Sequence, residues 1–472
     1  MALRIYNTYT NSVEAFKPLA DSKVKMYVCG PTVYNYFHIG NARPLLMFDI
    51  FRRYLMYRGY DVRYVVNITD IDDKIIRSAN EEKTSTAEVA AKYTQAYFED
   101  CEKLGIRNPD VSPKATDHID DMIELVKKLV DQGIAYPAEG DVFYDVKKLP
   151  QYGKLSGKKI DDLKSGARVE VDKRKKDPLD FVLWKAAKPG EPSWESPWGK
   201  GRPGWHLECS VMSMKYLGNT FDIHAGGVDL IFPHHENEIA QSEGATGTRF
   251  VNYWMHNGFL NVDGEKMAKS AGNFFTAREI LEKYKPEVIR MFFLLKHYRS
   301  PIDFSEERIH ESQQALSRIN STLANIDIAL KEFQPDAKKI NGSTIINNLR
   351  EQFLAALDDD FNTANAMAKI FEMVREANII MSAEQIQQRD LEALLRIKNT
   401  ILEFNEFLGI IESEQNKISE VEQKVYLDIL VEVRQKLREQ KNWKLADFIR
   451  DRLVEKGIEL EDRKDKTVWK KF

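Results

Sequence analysis

KVKMYVCGPTVYNYFHIGNARPLLMFDIFRRYLMYRGYDVRYVVNI, residues 23–68, decides the fold. Lys23 to Val28 is a short β-prone run that ends in a Gly30-Pro31 turn. From Ala42 to Arg58 the period changes: Leu45, Leu46, Phe48, Phe51 and Leu55 share one broad apolar helical face. Tyr64 to Ile68 reads as the next strand. Strand, helix and strand at this spacing predict a βαβ unit and hence a parallel sheet. His38-Ile39-Gly40-Asn41 sits at the strand-to-helix junction. Open α/β sheets bind phosphates there, because the helix N-terminus offers unpaired N–H groups and the positive end of its dipole. Gly40 permits close approach of a nucleotide, and His38 can donate to phosphate oxygens. Alone, such a tetrapeptide is as well explained by an ordinary helix-start turn.

Outward from this stretch, 472 residues are too many for one ordinary core. The fold class expected is α/β: a Rossmann-like parallel-sheet catalytic domain with an insertion, then an α-helical bundle and a small C-terminal mixed domain. The boundaries expected are 1–116 and 204–264 for the two halves of the sheet domain, with 117–203 as a connective insertion. Within the insertion a helix, Ile119 to Gln132, leads to the basic run Lys173-Arg174-Lys175-Lys176. Residues 265–304 are expected to hold a lysine loop and the region after it, 305–411 the bundle and 412–472 the small C-terminal region. The bundle helices read as Glu307 to Phe333, Ile345 to Met381 and Arg389 to Ile411, followed by Ser419 to Gln440 and Trp443 to Lys456.

No run approaches the ~18 apolar residues of a membrane helix. The N-terminal Met-Ala-Leu-Arg-Ile-Tyr lacks the apolar centre of a signal peptide. Three scattered cysteines, Cys29, Cys101 and Cys209, are no disulfide framework and suit a reducing cytoplasm. A net charge of −4 points to no nucleic acid. Residues 434–472, however, hold 13 Lys+Arg against 8 Asp+Glu, a local +5. Trp443 and Trp469 in that segment either stack on splayed RNA bases or anchor local packing.

Lys266-Met267-Ala268-Lys269-Ser270 offers two lysines three apart, a pattern suited to neutralising charge on a triphosphate. Most such clusters are solvated basic loops; its order after the His38 turn raises its weight. A metal set is also in view. His234 and Glu238 are four apart and share a helix face, with Pro233 expected in that helix's first turn. With Cys29 and Cys209 they make a Cys₂-His-Glu group of borderline-soft character, suited to Zn²⁺. Spacing equally allows His235 in place of His234, and a buried cysteine is usually a small core residue.

Taken together these segments resemble the cysteinyl-tRNA synthetases, the bacterial form in particular. His38 to Asn41 and Lys266 to Ser270 resemble the HIGH and KMSKS signatures of class I synthetases, with Asn41 and Ala268 as departures. Cys29 to Tyr34, Asn67 to Lys74, Gly204 to Ser210, Asp222 to Leu230, Phe232 to Glu238 and Asp358 to Thr363 match the family along nearly the whole chain; Ala225, often glycine, departs. The resemblance implies Zn²⁺ on Cys29, Cys209, His234 and Glu238, and ATP on His38, Gly40, Asn41, Lys266 and Lys269. It also implies Thr69, Trp205, His224 and Asp229 around substrate L-cysteine. Mg²⁺ is expected with ATP, without an assignable protein ligand. The partner implied is tRNA(Cys), with 265–304 as its stem-contact region and 412–472 as its anticodon-binding region, and the protein is expected to be a cytoplasmic monomer. Two rivals are a cysteine ligase of the same fold with an amino-sugar acceptor, as in mycothiol synthesis, and a non-catalytic RNA-binding relative with a structural zinc. The C-terminal region argues against the first, and the retained lysines and metal positions against the second.

Overall fold

The computed structural model describes residues 2–158, 172–262, 264–266, 275–333, 344–411, 414–454, 458–462 and 467–471. A four-stranded parallel sheet lies at the centre, in the order Val251–Asn257, Phe221–Gly227, Lys23–Val28, Asp61–Val66. Its strands are buried along most of their length, as a parallel sheet covered on both faces requires. From Lys23–Val28 the chain first crosses to Asp61–Val66 on one side, and later enters Phe221–Gly227 on the other. The strand order therefore reverses at Lys23–Val28. Ligands bind outside the carboxyl ends of strands at such a point.

Local chemistry sets the boundaries. The second strand spans Asp61–Val66, where Tyr64 to Ile68 was expected, and the helix starts earlier, at Ile39, and runs to Tyr57. It starts there because His38 caps it: the Asn41 N–H donates to His38 Nδ1 at 3.3 Å. The segment after Asp117 builds a helix, Ile119–Asp131, and a separate antiparallel sheet. That sheet orders Ala135–Ala138, Asp141–Tyr144, Phe181–Ala186 and Gly201–Pro203.

Past residue 305 the chain is mostly helical, with helices Glu306–Phe333, Thr344–Asp358, Thr363–Met381 and Gln388–Leu408. The single helix expected from Ile345 to Met381 is thus two. Asp360 (φ 58°) and Phe361 (φ 50°) take left-handed backbone, which ends the first helix. Asp360 offsets that cost by accepting from the Tyr6 N–H (2.8 Å), the Tyr298 hydroxyl (2.9 Å) and Arg299 Nε (2.7 Å). Nearby, Asp358 accepts from the Tyr54 hydroxyl at 2.6 Å and pairs with Arg58. The break is therefore a joint that ties these helices to the helix Ile39–Tyr57 and to the N-terminal strand Arg4–Asn7.

Two compact units result, residues 1–410 and 411–472. The second holds helices Glu414–Glu439 and Trp443–Val454 and a hairpin of Ile458–Asp462 with Thr467–Lys471. Its core joins Leu427, Leu453 and Ile458, with Trp469 packed against them and its Nε1 donating to Asp428 at 2.8 Å. Trp469 is thus a packing anchor, whereas Trp443 is 55% exposed. Among the described residues no helix is long and apolar enough to cross a membrane.

Candidate active site

Cys29 directly follows the first sheet strand, and its N–H donates to Ala225 O at 3.2 Å on the neighbouring strand. Gly30 comes next because nothing larger fits: a Cβ there would lie 1.7 Å from Asn67 O. Its N–H donates to Asn67 Oδ1 at 2.8 Å, and the Thr69 N–H donates to Pro31 O at 3.1 Å. Two strand ends are thereby stitched together by backbone groups and the Asn67 side chain.

Cys209 comes from the helix Trp205–Leu217 and Glu238 from the helix Glu236–Thr246. The helix expected to start at Pro233 starts at Glu236. Ile231–His235 is instead an irregular turn in which Phe232 is extended. That turn still brings His234 Nε2 within 3.0 Å of Glu238 Oε1. The segment carrying the antiparallel sheet steadies this corner. The N–H groups of Gly153 and Ser156 each donate to Glu236 at 2.9 Å, and the Tyr152 hydroxyl donates to Asn237 Oδ1 at 2.6 Å.

Cys29, Cys209, His234 and Glu238 present ligand atoms that all lie within 4.8 Å of one another. Cys29, His224, His235 and Glu238 do the same, so the two sets overlap in Cys29 and Glu238. The two sulfurs are 3.8 Å apart. Zn–S bonds of ~2.3 Å give a tetrahedral edge of about 3.8 Å, so the thiol pair has the spacing such an ion needs. The four groups are also strongly coupled in charge. Burial opposes charge on His234, yet Glu238 and then Cys209 hold it up, to about 10. Burial would raise Glu238, but His224 and His234 pull it down to about 2. The hydrogen bond from Cys29 brings Cys209 down to about 6, while burial drives Cys29 well up.

Around this group, His224 is buried, and its Nε2 lies 2.8 Å from Glu238 Oε2 and braces that carboxylate. Trp205, 39% exposed, stacks on His234 with centroids 4.3 Å apart. The Thr69 hydroxyl donates to Glu208 Oε2 at 2.8 Å. Asp229 stands exposed in the turn Val228–Leu230 after the third strand. At the start of the helix Ile39–Tyr57, His38 accepts through Nδ1, so its neutral form carries the proton on Nε2, a donor suited to phosphate. Gly40 and Asn41 lie in the same first helical turn. Lys266 ends the two-residue strand Glu265–Lys266, paired antiparallel with Leu260–Val262; Lys269 lies outside the described residues.

Sequence reasoning gave no role to Glu208, His256 or Arg43. Burial and then the charge at Cys209 push Glu208 well above the usual carboxyl range where it meets Thr69. His256 bridges His235 (2.8 Å) to the Thr8 hydroxyl (2.8 Å), and burial brings it down to about 3. A charged residue on the apolar helix face, Arg43 among Leu46, Met47 and Ile50, is the one signal the sequence offered.

A family model described as "tRNA synthetases class I (C) catalytic domain" matches residues 15–314, and one described as "DALR domain" matches residues 352–412. A protein of Thermodesulfovibrio yellowstonii named cysteine--tRNA ligase is 49% identical over 485 residues, covering 99% of each chain. Its namesake in Carboxydothermus hydrogenoformans is 50% identical over 471 residues, 99% of this chain and 100% of that one. The namesake in Thermococcus onnurineus is 50% identical over 480 residues and the whole of both chains. Among solved structures, Mycobacterium tuberculosis methionyl-tRNA synthetase with methionyl-adenylate superposes with a TM-score of 0.65 at 16% identity, over 82% of this chain and 92% of that one. A LeuRS–tRNA–LeuAMS complex of Agrobacterium radiobacter gives 0.60 at 11%, over 84% and 85%. At such identities the two structures attest the fold alone.

Proposed function

Since the chain belongs to the cysteine--tRNA ligases, with a class I tRNA synthetase catalytic domain, we propose that it activates L-cysteine with ATP and transfers it to tRNA(Cys). The observation that carries this reading is the Cys29, Cys209, His234 and Glu238 group at the sheet's switch point, in a chain matched end to end by those relatives.

Zn²⁺ is the metal that fits, on Cys29, Cys209, His234 and Glu238. This set keeps both thiols, whereas the set with His224 and His235 omits Cys209 although it lies 3.8 Å from Cys29. When bound, the ion supplies a Lewis acid that favours a thiolate over a serine hydroxyl. The surrounding residues do the rest. Thr69, Trp205, His224 and Asp229 orient the amino acid and keep its carboxylate facing the nucleotide. That carboxylate attacks the ATP α-phosphate; the new C–O–P bond forms as the bond to pyrophosphate breaks. His38, Gly40 and Asn41 steady the phosphates, and Lys266 and Lys269 stabilise the charge that develops, with Mg²⁺ entering on ATP. The terminal adenosine 2′-hydroxyl of tRNA then attacks the adenylate carbonyl, and AMP leaves. The unit from 411 to 472, with its local +5 charge beyond residue 434 and exposed Trp443, is read as the anticodon-end contact of a monomer. Two free thiols among the ligands suit a reducing cytoplasm.

Cysteine-dependent ATP–pyrophosphate exchange tests the reading directly. Exchange is expected with cysteine, to exceed that with serine by several decades, and to vanish on chelation and return with Zn²⁺. Exchange untouched by complete metal removal would overturn the metal assignment.

A further inference from the structure

Arg43 is fully buried, five residues after the His38 cap. Its Nη1 donates to Gly258 O (2.6 Å) and Phe259 O (2.9 Å), and its Nη2 to His297 O (3.2 Å) and Ser300 O (2.6 Å). Those carbonyls stand at the roots of two strands, Leu260–Val262 and Ile302–Phe304, which pair in parallel. Leu260–Val262 in turn carries the Glu265–Lys266 strand, and Asp303 accepts from the Gly264 N–H at 2.7 Å where the hairpin turns. The far flank of the lysine segment is tied to the same helix start. The Ile39 N–H donates to Phe275 O at 3.1 Å and the Ala277 N–H to Phe37 O at 2.9 Å.

Both flanks of the lysine segment are thus referenced to one helix. At the near flank the tie is a single planar fork spread over four acceptors, a geometry an ammonium group cannot reproduce. Gly258 lets the two roots touch: a Cβ there would lie 2.5 Å from Arg299 O and 2.6 Å from Ser300 O.

We propose that Arg43 is a positioning residue for cysteine activation, fixing where the lysine hairpin stands relative to the His38–Asn41 turn. It touches no reacting atom and acts through the hairpin. The proposal rests on the lysines acting on ATP, as in the function proposed above.

The test measures kcat and KM in cysteine-dependent pyrophosphate exchange for R43K, R43M, K269A and R43M/K269A, with metal content alongside. R43K and R43M are both expected to lose about 100-fold in kcat, the scale of an ångström-sized misplacement, with cysteine KM and metal content unchanged. R43M should add little once Lys269 is gone, because both changes remove one effect. Full kcat in R43M, or a loss that multiplies completely with that of K269A, overturns the proposal. Normal kcat in K269A instead sinks the lysine reading itself, so the two failures are distinct. Where R43M does not fold, G258A disturbs the same carbonyls with the arginine in place. It should show the same kcat loss and the same non-additivity, and full activity in G258A counts against the clamp.

Discussion

At the thiol end of the crevice the candidate ligands come from a strand end, an irregular turn and two helices, and sit buried or half-buried among bracing partners. The other end is built differently: one helical turn, with Asn41 exposed, and a two-residue strand paired with Leu260–Val262, whose own root a guanidinium holds. The difference follows from what each end must do. Telling a thiol from a hydroxyl needs donors fixed before the ligand arrives, because the discrimination is lost if the site can adapt. Neutralising a triphosphate, the role proposed for the lysines, needs charge delivered to a group that enters and leaves, and Lys266 ends a short ribbon. One end is specified by burial, the other by attachment.

The sharpest way to break this contrast is Cys209→Ser. Removing one member of a buried charged group costs about 3–5 kcal/mol. That cost falls on the fold. Cysteine-driven kcat/KM is expected to fall on the order of 100-fold or more with loss of metal, since even residues that brace a ligand are worth about 10–100-fold. ATP affinity measured by calorimetry is expected to hold. Unchanged cysteine KM with full zinc would mean the two ends are not specialised. Next in size is Lys269→Ala, expected to lower kcat for activation about 100-fold with little change in KM for ATP, as for a group that acts on the transition state. A raised KM at normal kcat would recast that lysine as a uniform binder.

Gly30→Ala probes the frame of the thiol end. A Cβ forced against Asn67 O is expected to cost about 1–3 kcal/mol of stability in thermal or denaturant melts and to raise cysteine KM more than ATP KM. The smallest effect belongs to Thr276→Ala. Thr276 caps the helix Ala277–Lys283 in a reciprocal box with Glu279. Its loss should remove about 1 kcal/mol. Any kinetic effect should fall on ATP, and an effect confined to cysteine KM would reverse the assignment of the two ends.

Much of the frame was legible because it rests on periodicity: the strand Lys23–Val28 lies where its β-prone run predicts. Reading failed where tertiary partners override a local pattern. The amphipathic stripe runs through residues 358–363, and only the groups around Asp360 make a left-handed break there cheaper than a continuous helix. Spacing could not choose between His234 and His235 because both rules assume a regular helix. The irregular turn instead puts His234 Nε2 3.0 Å from Glu238 and His235 Nε2 3.3 Å from Cys29. Arg43 escaped notice since nothing in a sequence marks four distant carbonyls as converging on one side chain.

The missing Cβ at Gly30 has a consequence for tolerance. Because the Cys29 peptide lies directly against Asn67 O, the span from the thiol to Thr69 is set by two backbones in contact. A span lined by side chains can be widened or narrowed by exchanging a leucine for a valine. This one can change only if neighbouring strands move apart, against a spacing of about 4.8 Å that every other ladder bond enforces. The span between Cys29 and Thr69 is thus machined into the frame. Drift in the surrounding core can soften or stiffen the protein without retuning that span.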